Sequence, residues 1–355
     1  MKNTFPSPQV SQAGNMRRTG CAILFALSLT LQLLPVSPGL SEEPAEKPQA
    51  EQVLAGLRSF WEKTGLPDGS FRPGVGPDYK GMSDSALSDL APATYAVTLH
   101  RTLGWKLPYP EQTKEWFLSR QQPDGAFVNV GGTGDPKAPL VRLYNTTQGV
   151  VALHALGTKP PHDPVPVLEA VLKGDYKKLP PYTTSFFPLA YLCCGKQFPP
   201  EEDRKIRELM VQAEDGFYQN HVASTFHLAH YYRLMNQETP KADAILARMM
   251  RDQKPDGSWM LNPLARDRHA TFDAVFTLKQ LGKNNPACEK AIQKAVPWVL
   301  RCRNPDGGFG HYPGSRSDAD AVYFHVGVLF MAGWLKPVEP LPPEPQLLSW
   351  GHLMP

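Results

Sequence analysis

Two carboxylates, Asp318 and Asp320, stand two residues apart at the predicted start of an apolar helix, DADAVYFHVGVLFMAGWL (318–335). Neighbouring acids split their pKa values, so that one member of such a pair can hold a proton and act as an acid. Asp89 and Asp267 occupy the same position in two other predicted helices, which is also a natural N-cap position. A catalytic pair and a helix cap are therefore both open interpretations.

Other ionisable groups accompany this pair. RDRH (266–269) and SDAD (317–320) begin consecutive predicted helices, and two acids across a cleft could serve glycan hydrolysis. His227 and His230 stand about one helical turn apart, a spacing that can bind a metal. Because the sequence offers them no third ligand, we predict neither a metal centre nor a cofactor.

A repeated turn indicates the elements that must position these groups. Proline fixes φ, aspartate bonds back to the backbone and glycine supplies a positive φ, so Pro-Asp-Gly is a turn by mechanism. Each copy lies between two predicted helices. Of two weaker units, 164–195 keeps the helix pair without the turn, and 214–235 keeps Asp215, Gly216 and an aromatic. The clear copies are PDGSF (67–71), QQPDGAF (121–127), QKPDGSW (253–259) and PDGGF (305–309). Together they predict six helix pairs over residues 51–336.

The helix patterns predict how these pairs assemble. The second helix of a pair is more uniformly apolar than the first, as expected of an inner layer. Repeated helix pairs form either an open solenoid or a closed ring, and six units favour closure. The predicted fold is therefore all-α, an α/α toroid of about six helix pairs.

Aromatic and histidine side chains recur on the predicted inner helices. They either line a cavity for an apolar ligand or simply fill the centre of the ring. The candidate cavity residues are Tyr95, Tyr144, Phe187, Phe226, His227, Phe272, Phe276, Tyr323 and His325.

The ends of the chain differ from the repeats. Residues 1–40 read as a signal peptide, with a basic start at Met16 and an apolar run over 21–36, preceded by an extension if translation begins at Met16. That run is short for a membrane span, so we expect export to a bacterial periplasm or the exterior, the alternative being an uncleaved anchor. A linker (41–50) and a proline-rich tail (337–355) flank the repeats.

Charge and cysteine content exclude some functions. The net charge is only +3 with no run of Lys or Arg, which argues against nucleic-acid binding. Four cysteines follow the apolar run, in no metal-binding or disulfide pattern, and we expect core thiols. They are Cys193, Cys194, Cys288 and Cys302.

The sequence around the repeated turn resembles a motif of a known protein family. The spacing from Gln253 to Gly257 and Trp259, repeated from Gln121 to Gly125 and Phe127, resembles the "QW" repeat of squalene and oxidosqualene cyclases and of protein prenyltransferase β subunits. The resemblance covers residues 51–336. It implies an α/α toroid in which glutamine and aromatic tie neighbouring helices together at the rim.

The catalytic signatures of these relatives are incomplete here. The cyclase motif D-x-D-D becomes DADA (318–321), and the zinc-binding Asp-x-Cys of prenyltransferases becomes Asp273-Ala-Val275, with His325 near the position of the family's histidine. Cys194-Gly-Lys-Gln resembles the complement thioester motif, but Lys replaces its Glu. Zinc-activated thiol chemistry and an α-subunit partner are therefore not expected.

These observations favour an exported protein that binds or transforms an apolar, isoprenoid-type ligand in the centre of the toroid. A non-catalytic binding scaffold and a glycan-active toroid are the alternatives. Whether the protein is an enzyme stays open at the level of sequence.

Overall fold

The computed structural model describes residues 46–174 and 176–351, which form thirteen α-helices. Short 3₁₀ turns occur at Tyr176–Lys178, Pro181–Thr183 and Pro345–Leu347. The helices are α1 (Glu46–Thr64), α2 (Ser83–Leu87), α3 (Leu90–Leu103), α4 (Pro110–Ser119), α5 (Pro139–Ala155), α6 (Val165–Lys173), α7 (Phe186–Cys193), α8 (Pro200–Leu209), α9 (Val222–Leu234), α10 (Ala242–Arg251), α11 (Ala270–Gly282), α12 (Pro286–Arg301) and α13 (Ala319–Met331).

The helices form two concentric layers. The inner helices α3, α5, α7, α9, α11 and α13 each contact the next, and α13 returns to α3 to close the ring. Each inner helix is paired with an outer helix, in the order α1, α4, α6, α8, α10 and α12. The predicted α/α toroid of six helix pairs is confirmed.

Burial follows the layer of each helix. Every residue of α13 is buried, as an inner helix enclosed on all sides requires. The outer helix α12 is amphipathic and buries only one face, including Ile292, Ala295 and Val299. It begins with Pro286 after an Asn285 cap, whose side chain accepts a hydrogen bond from Ala287 N at 2.9 Å.

The repeated turn lies between the outer and inner helices of a unit and also bonds to the next unit. In the turn at 253–259, Asp256 Oδ1 accepts a hydrogen bond from Ser258 N at 3.1 Å, and Gly257 has φ of +92°. Gln253 Nε2 donates to Gly257 O at 3.0 Å and to Ala291 O of α12 at 2.8 Å. The glutamine thus fastens its own turn to the following outer helix. Gln212, which the turn motif did not reveal, has the same role: its Nε2 donates to Gly216 O and to Pro240 O.

Arginine closes the ring at the last corner. Arg303 occupies the position of the glutamine, and its Nη2 donates to Gln52 O of α1 at 2.9 Å. The Gly307 turn also packs closely against α1, since a Cβ added there would lie 2.1 Å from Gly56 O. The last unit is therefore attached directly to the first.

The C-terminal segment packs into the ring instead of standing apart as a tail. Val338 N donates to Thr102 O at 2.8 Å, and Leu347, Leu348 and Trp350 are buried. These apolar side chains follow the prolines of the segment. Because they are buried, the folded domain extends beyond residue 336, where the predicted repeats end.

The N-terminal predictions concern residues that lie mostly outside the described ones. The signal peptide (1–40), its extension and the first part of the linker (41–50) are among them, whereas α1 already begins at Glu46. No helix of the described residues is long and apolar enough to cross a membrane. Cys193, Cys194, Cys288 and Cys302 are free thiols, with Cys194 only half-buried.

Candidate functional site in the centre of the toroid

A cavity of about 370 Å³ lies among the N-terminal ends of the inner helices, a size typical of small-molecule sites. Its apolar and aromatic walls come from α2, α5, α7, α9, α13 and the C-terminal segment, and its ionisable rim from α2 and the start of α11. The lining residues are Asp84, Leu87, Tyr144, Tyr182, Phe186, His221, Ala223, Ser224, Phe226, His227, Leu261, Asp267, His269, Asp273, Phe324 and Trp350.

Trp350 from the C-terminal segment is the one tryptophan among the described lining residues. Its ring stacks on Phe186 at a centroid distance of 4.8 Å, and Phe186 in turn contacts Tyr144 at 6.0 Å. Trp350 Nε1 donates to Tyr95 OH at 3.3 Å, and its backbone N donates to Tyr323 OH at 2.9 Å. Both polar ends of the residue are thus satisfied, which fixes the indole in the cavity wall.

All nine candidate cavity residues lie on inner helices, but only three of them line the cavity. Tyr144, Phe226 and His227 line the cavity. The other six are not among its lining residues, because an inner helix directs most of its side chains at its neighbours; these are Tyr95, Phe187, Phe272, Phe276, Tyr323 and His325. His325, for example, lies 3.0 Å from Gly310 O through Nε2 and contacts Trp298 of α12.

Asp318 and Asp320 are fully buried and are not among the lining residues. The chain before α3 covers them: Tyr79 OH and Met82 N donate to Asp318 Oδ2 at 2.6 and 2.8 Å, and Asp84 N donates to Asp320 Oδ2 at 3.2 Å. Asp318 is also the N-cap of α13, accepting from Asp320 N at 3.3 Å. Of the two interpretations of Asp318, catalytic acid or helix cap, the cap agrees with these contacts.

The two acids differ in protonation. Burial, followed by the charge of Asp320, raises the pKa of Asp318 to about 9. Burial acts in the same direction on Asp320, but the nearby imidazoles of His311 and His269 outweigh it and hold the pKa of Asp320 well below its usual range. At neutral pH, Asp318 is therefore the neutral member of the pair and Asp320 the anion.

Different acids face the cavity. Asp84 in the first turn of α2 and Asp273 on α11 both line it, and burial raises the pKa of each. Tyr95 OH donates to Asp84 Oδ2 at 2.6 Å. Sequence reasoning missed Asp84 because Ser83–Leu87 is too short to show a helical period; an acidic residue in its first turn is the only local signal.

Two histidines converge on Asp320. His311 Nε2 lies 2.9 Å from Asp320 Oδ1, and His269 Nε2 lies 3.6 Å from Asp320 Oδ2. Burial opposes protonation of His269, but contact with Asp320 and the charge of Asp84 raise its pKa to about 9. His311 was missed because only the fold brings the loop after the last turn to α11. The three side chains offer ligand atoms within 4.8 Å of one another and could hold a metal.

The ligand sets considered from sequence are not assembled. Asp273 faces the cavity and Val275 is apolar, while His325 is engaged with Gly310 O. His227 Nδ1 lies 2.8 Å from Ser185 Oγ, and the His230 ring stacks on Phe226. Asp267, by contrast, lines the cavity rim, where it accepts from His269 N at 2.8 Å.

Comparison with known proteins supports the fold. Over 99 residues the chain is 31% identical to the geranylgeranyl transferase type-2 subunit beta of Candida albicans, a match that spans 28% of each protein. The type II terpene cyclase MstE from Scytonema, also known in complex with its substrate geranylgeranyl dihydroxybenzoate, has a similar structure at 13% identity. That similarity has a TM-score of 0.52 and covers 88% of this chain and 100% of the cyclase.

A second solved structure has the same fold. Candida albicans protein geranylgeranyltransferase-I, in complex with GGPP, is similar with a TM-score of 0.52 at 11% identity, covering 77% of this chain and 95% of the transferase chain. The family model of the prenyltransferase alpha-alpha toroid domain matches residues 8–145 and 183–352, which is most of the sequence. The chain therefore belongs to the prenyltransferase alpha-alpha toroid domain family.

Proposed function

We propose that the protein binds a neutral, isoprenoid-type molecule in the central cavity. The observation that carries this proposal is the aromatic lining of the cavity, where Trp350, Phe186 and Phe226 offer flat apolar surfaces. A branched polyene buries its apolar area efficiently against such rings. Support also comes from two proteins of similar fold, one solved with GGPP and one with a geranylgeranyl substrate.

The rim favours a neutral head group over a diphosphate, because the basic histidine there, His269, already pairs with Asp320. No Lys or Arg is among the described residues that line the cavity, whereas phosphate recognition normally employs cationic side chains. Burial raises the pKa of Asp273 there well above its usual value, which favours a protonated carboxyl group. A protonated carboxyl group can donate a hydrogen bond, which suits an alcohol or a carbonyl oxygen.

The carboxyl groups in and behind the cavity favour ligand binding over cyclisation of an alkene. Alkene protonation requires a strong acid, and a carboxyl group with a raised pKa is a weaker acid than usual. Asp320 is ionised and has no proton to give, while Asp318 is covered by Tyr79 and Met82. We therefore propose ligand binding as the function and assign no cyclisation step to the aspartates.

Native mass spectrometry of the protein purified from its own cells tests this proposal first. A co-purifying neutral isoprenoid is the expected result. Calorimetric titration then compares geranylgeraniol, GGPP and a neutral oligosaccharide. We expect the alcohol to bind at least about tenfold more tightly than the diphosphate, a difference of about 1.4 kcal/mol. Saturable binding of the oligosaccharide alone would favour the glycan alternative, and no binding of any of them would favour a scaffold.

A pair of variants tests the location. Phe226→Ala removes an aromatic ring from the cavity lining, whereas Trp105→Phe alters a ring that lies against Arg58 on the outer layer. We expect only the first to weaken binding of the alcohol. Equal affinities in both variants would contradict the assignment of the ligand to this cavity.

Export is a separate proposal, and it depends on the basic start and apolar run within residues 16–36. Fractionation of the native cells and N-terminal sequencing of the mature protein test it. An intact N-terminus on a cytoplasmic protein would contradict it.

A further inference from the structure

We propose that His269, His311 and Asp320 form a binding site for a divalent transition-metal ion of the Zn²⁺ type at the edge of the central cavity. The three side chains supply two imidazole nitrogens and a carboxylate oxygen, and their potential ligand atoms all lie within 4.8 Å of one another. Two histidines and one carboxylate are an established donor set for Zn²⁺ and for Fe²⁺. The site uses none of the thiols of the chain.

The distances suit an ion between the three groups. His311 Nε2 lies 2.9 Å from Asp320 Oδ1 and His269 Nε2 lies 3.6 Å from Asp320 Oδ2. Ligand atoms about 2.0–2.2 Å from a tetrahedral Zn²⁺ are themselves about 3.3–3.6 Å apart. Small side-chain shifts would therefore complete the coordination.

The imidazole nitrogens are available for a ligand role. Among the described residues, neither His269 Nε2 nor either ring nitrogen of His311 has a hydrogen-bond partner of good geometry, although His311 is completely buried. Buried polar atoms normally have a hydrogen-bond partner, and a bound ion can take the place of that partner. His311 Nδ1 in particular has neither a hydrogen bond nor an ion pair among the described residues, an observation independent of the contacts with Asp320.

The surrounding structure holds each ligand in place. Ala321 N donates to Asp320 Oδ1 at 2.7 Å and Asp84 N donates to Asp320 Oδ2 at 3.2 Å. The His269 ring stacks on Phe324 with centroids 3.9 Å apart. Such outer contacts orient the ligands of natural metal sites.

An ion at this position would have access to the cavity. His269 lines the cavity, whereas His311 and Asp320 lie behind it and are fully buried. Three protein ligands leave at least one coordination position open, and that position would face the cavity from the side of His269. A bound water or a ligand oxygen could occupy it.

Metal analysis of the full-length protein, produced without a polyhistidine tag, tests the proposal. After loading with Zn²⁺ and dialysis, elemental analysis is expected to find about one ion per chain. Substitution by Co²⁺ should give visible d–d absorption of nitrogen and oxygen coordination without an intense thiolate charge-transfer band, because no cysteine takes part. A wild-type protein that retains no stoichiometric ion would overturn the proposal.

Variants locate the ion. His269→Gln and the nearly isosteric Asp320→Asn are expected to weaken Zn²⁺ binding by more than about 100-fold, since each loses a direct ligand and the loss of an outer-shell partner alone costs about 10–100-fold. His227→Gln, in the same cavity but outside the cluster, is the matched control and should bind normally. Circular dichroism confirms folding of each variant. Equal binding in His269→Gln and wild type, or loss of binding in His227→Gln, would refute the assignment, and titration with geranylgeraniol reports separately on the proposed function.

Discussion

Trp350 stacks on Phe186 with ring centroids 4.8 Å apart and an interplanar angle of 30°. This contact brings the end of the chain to α7, an inner helix from the middle of the sequence, and makes the C-terminal segment part of the cavity wall. The residues that a ligand would meet are therefore supplied by parts of the sequence that are distant from one another. The stability of the cavity and its shape depend on the same side chain.

Removal of the Trp350 indole should both destabilise the protein and enlarge the cavity. We expect Trp350→Ala to lower the free energy of unfolding by about 3–5 kcal/mol, as is typical of a buried aromatic truncated to alanine. Trp334→Ala, which truncates a half-buried tryptophan outside the cavity, should cost less. Urea unfolding measures both changes, and a smaller loss in Trp350→Ala than in the control would contradict the structural role of the segment.

Gln121 should contribute strongly to the attachment of its turn to the next unit. Its side chain donates to Gly125 O and His162 O at 3.1 and 2.7 Å and accepts from His162 N at 3.0 Å. Gln121→Ala breaks all three bonds, and we expect a loss of about 2–3 kcal/mol. Gln122→Ala, at the adjacent half-buried position, should stay within about 0.5 kcal/mol of wild type. Denaturant midpoints at constant slope provide the comparison.

Gly257 should tolerate no side chain. It has φ of +92°, and a Cβ there would lie 2.0 Å from Lys294 O of the next outer helix. We expect Gly257→Ala to cost at least about 3 kcal/mol, from backbone strain and displacement of the turn. Gly157→Ala separates these effects, because Gly157 has φ of +65° but open space around it; it should cost only about 1–2 kcal/mol. Similar melting temperatures of the two variants would disprove the close contact.

His100 should make the protein sensitive to acid. Burial is the main cause that lowers the pKa of His100 to about 4 from a usual 6.5, so the unfolded chain binds the proton more readily. Its contribution to stability is complete above pH 6.5 and is lost as the pH falls towards 4, up to about 3 kcal/mol. His100→Gln should flatten the stability profile over this range, while exposed His162→Gln should not. An unchanged slope in His100→Gln would exclude His100 as the source.

Asp273→Asn should stabilise the protein at neutral pH. Burial raises the pKa of Asp273 well above its usual value, so the folded protein retains a proton that the unfolded chain releases. Stability is therefore lost as the pH rises above the unfolded pKa of about 4. Asparagine carries no charge at any pH and avoids this loss. We expect the variant to exceed wild type in stability at pH 7 and to match it more closely at pH 4, as measured by thermal unfolding.

The repeated turns and apolar second helices were sufficient to predict the toroid, because these signals are local and recur. The site was only partly predictable. Asp318 and Asp320 lie at the start of the last inner helix, but the segment that carries Tyr79 and Met82 folds over them. Asp84 and Trp350 reach the cavity, and His311 reaches Asp320, only through long-range packing, which no spacing in the sequence records. Which side chains line the cavity is determined by how the helices pack when the ring closes.

The attachment of Arg303 to Gln52 has a consequence for how the molecule opens. A linear array of repeats frays from its two ends, where each terminal repeat has a single neighbour. Here every unit has two neighbours, so no unit can leave without breaking two junctions. We therefore expect unfolding to be a single cooperative event. Once the weakest junction breaks, the ring becomes an open array whose two end units each have a single neighbour.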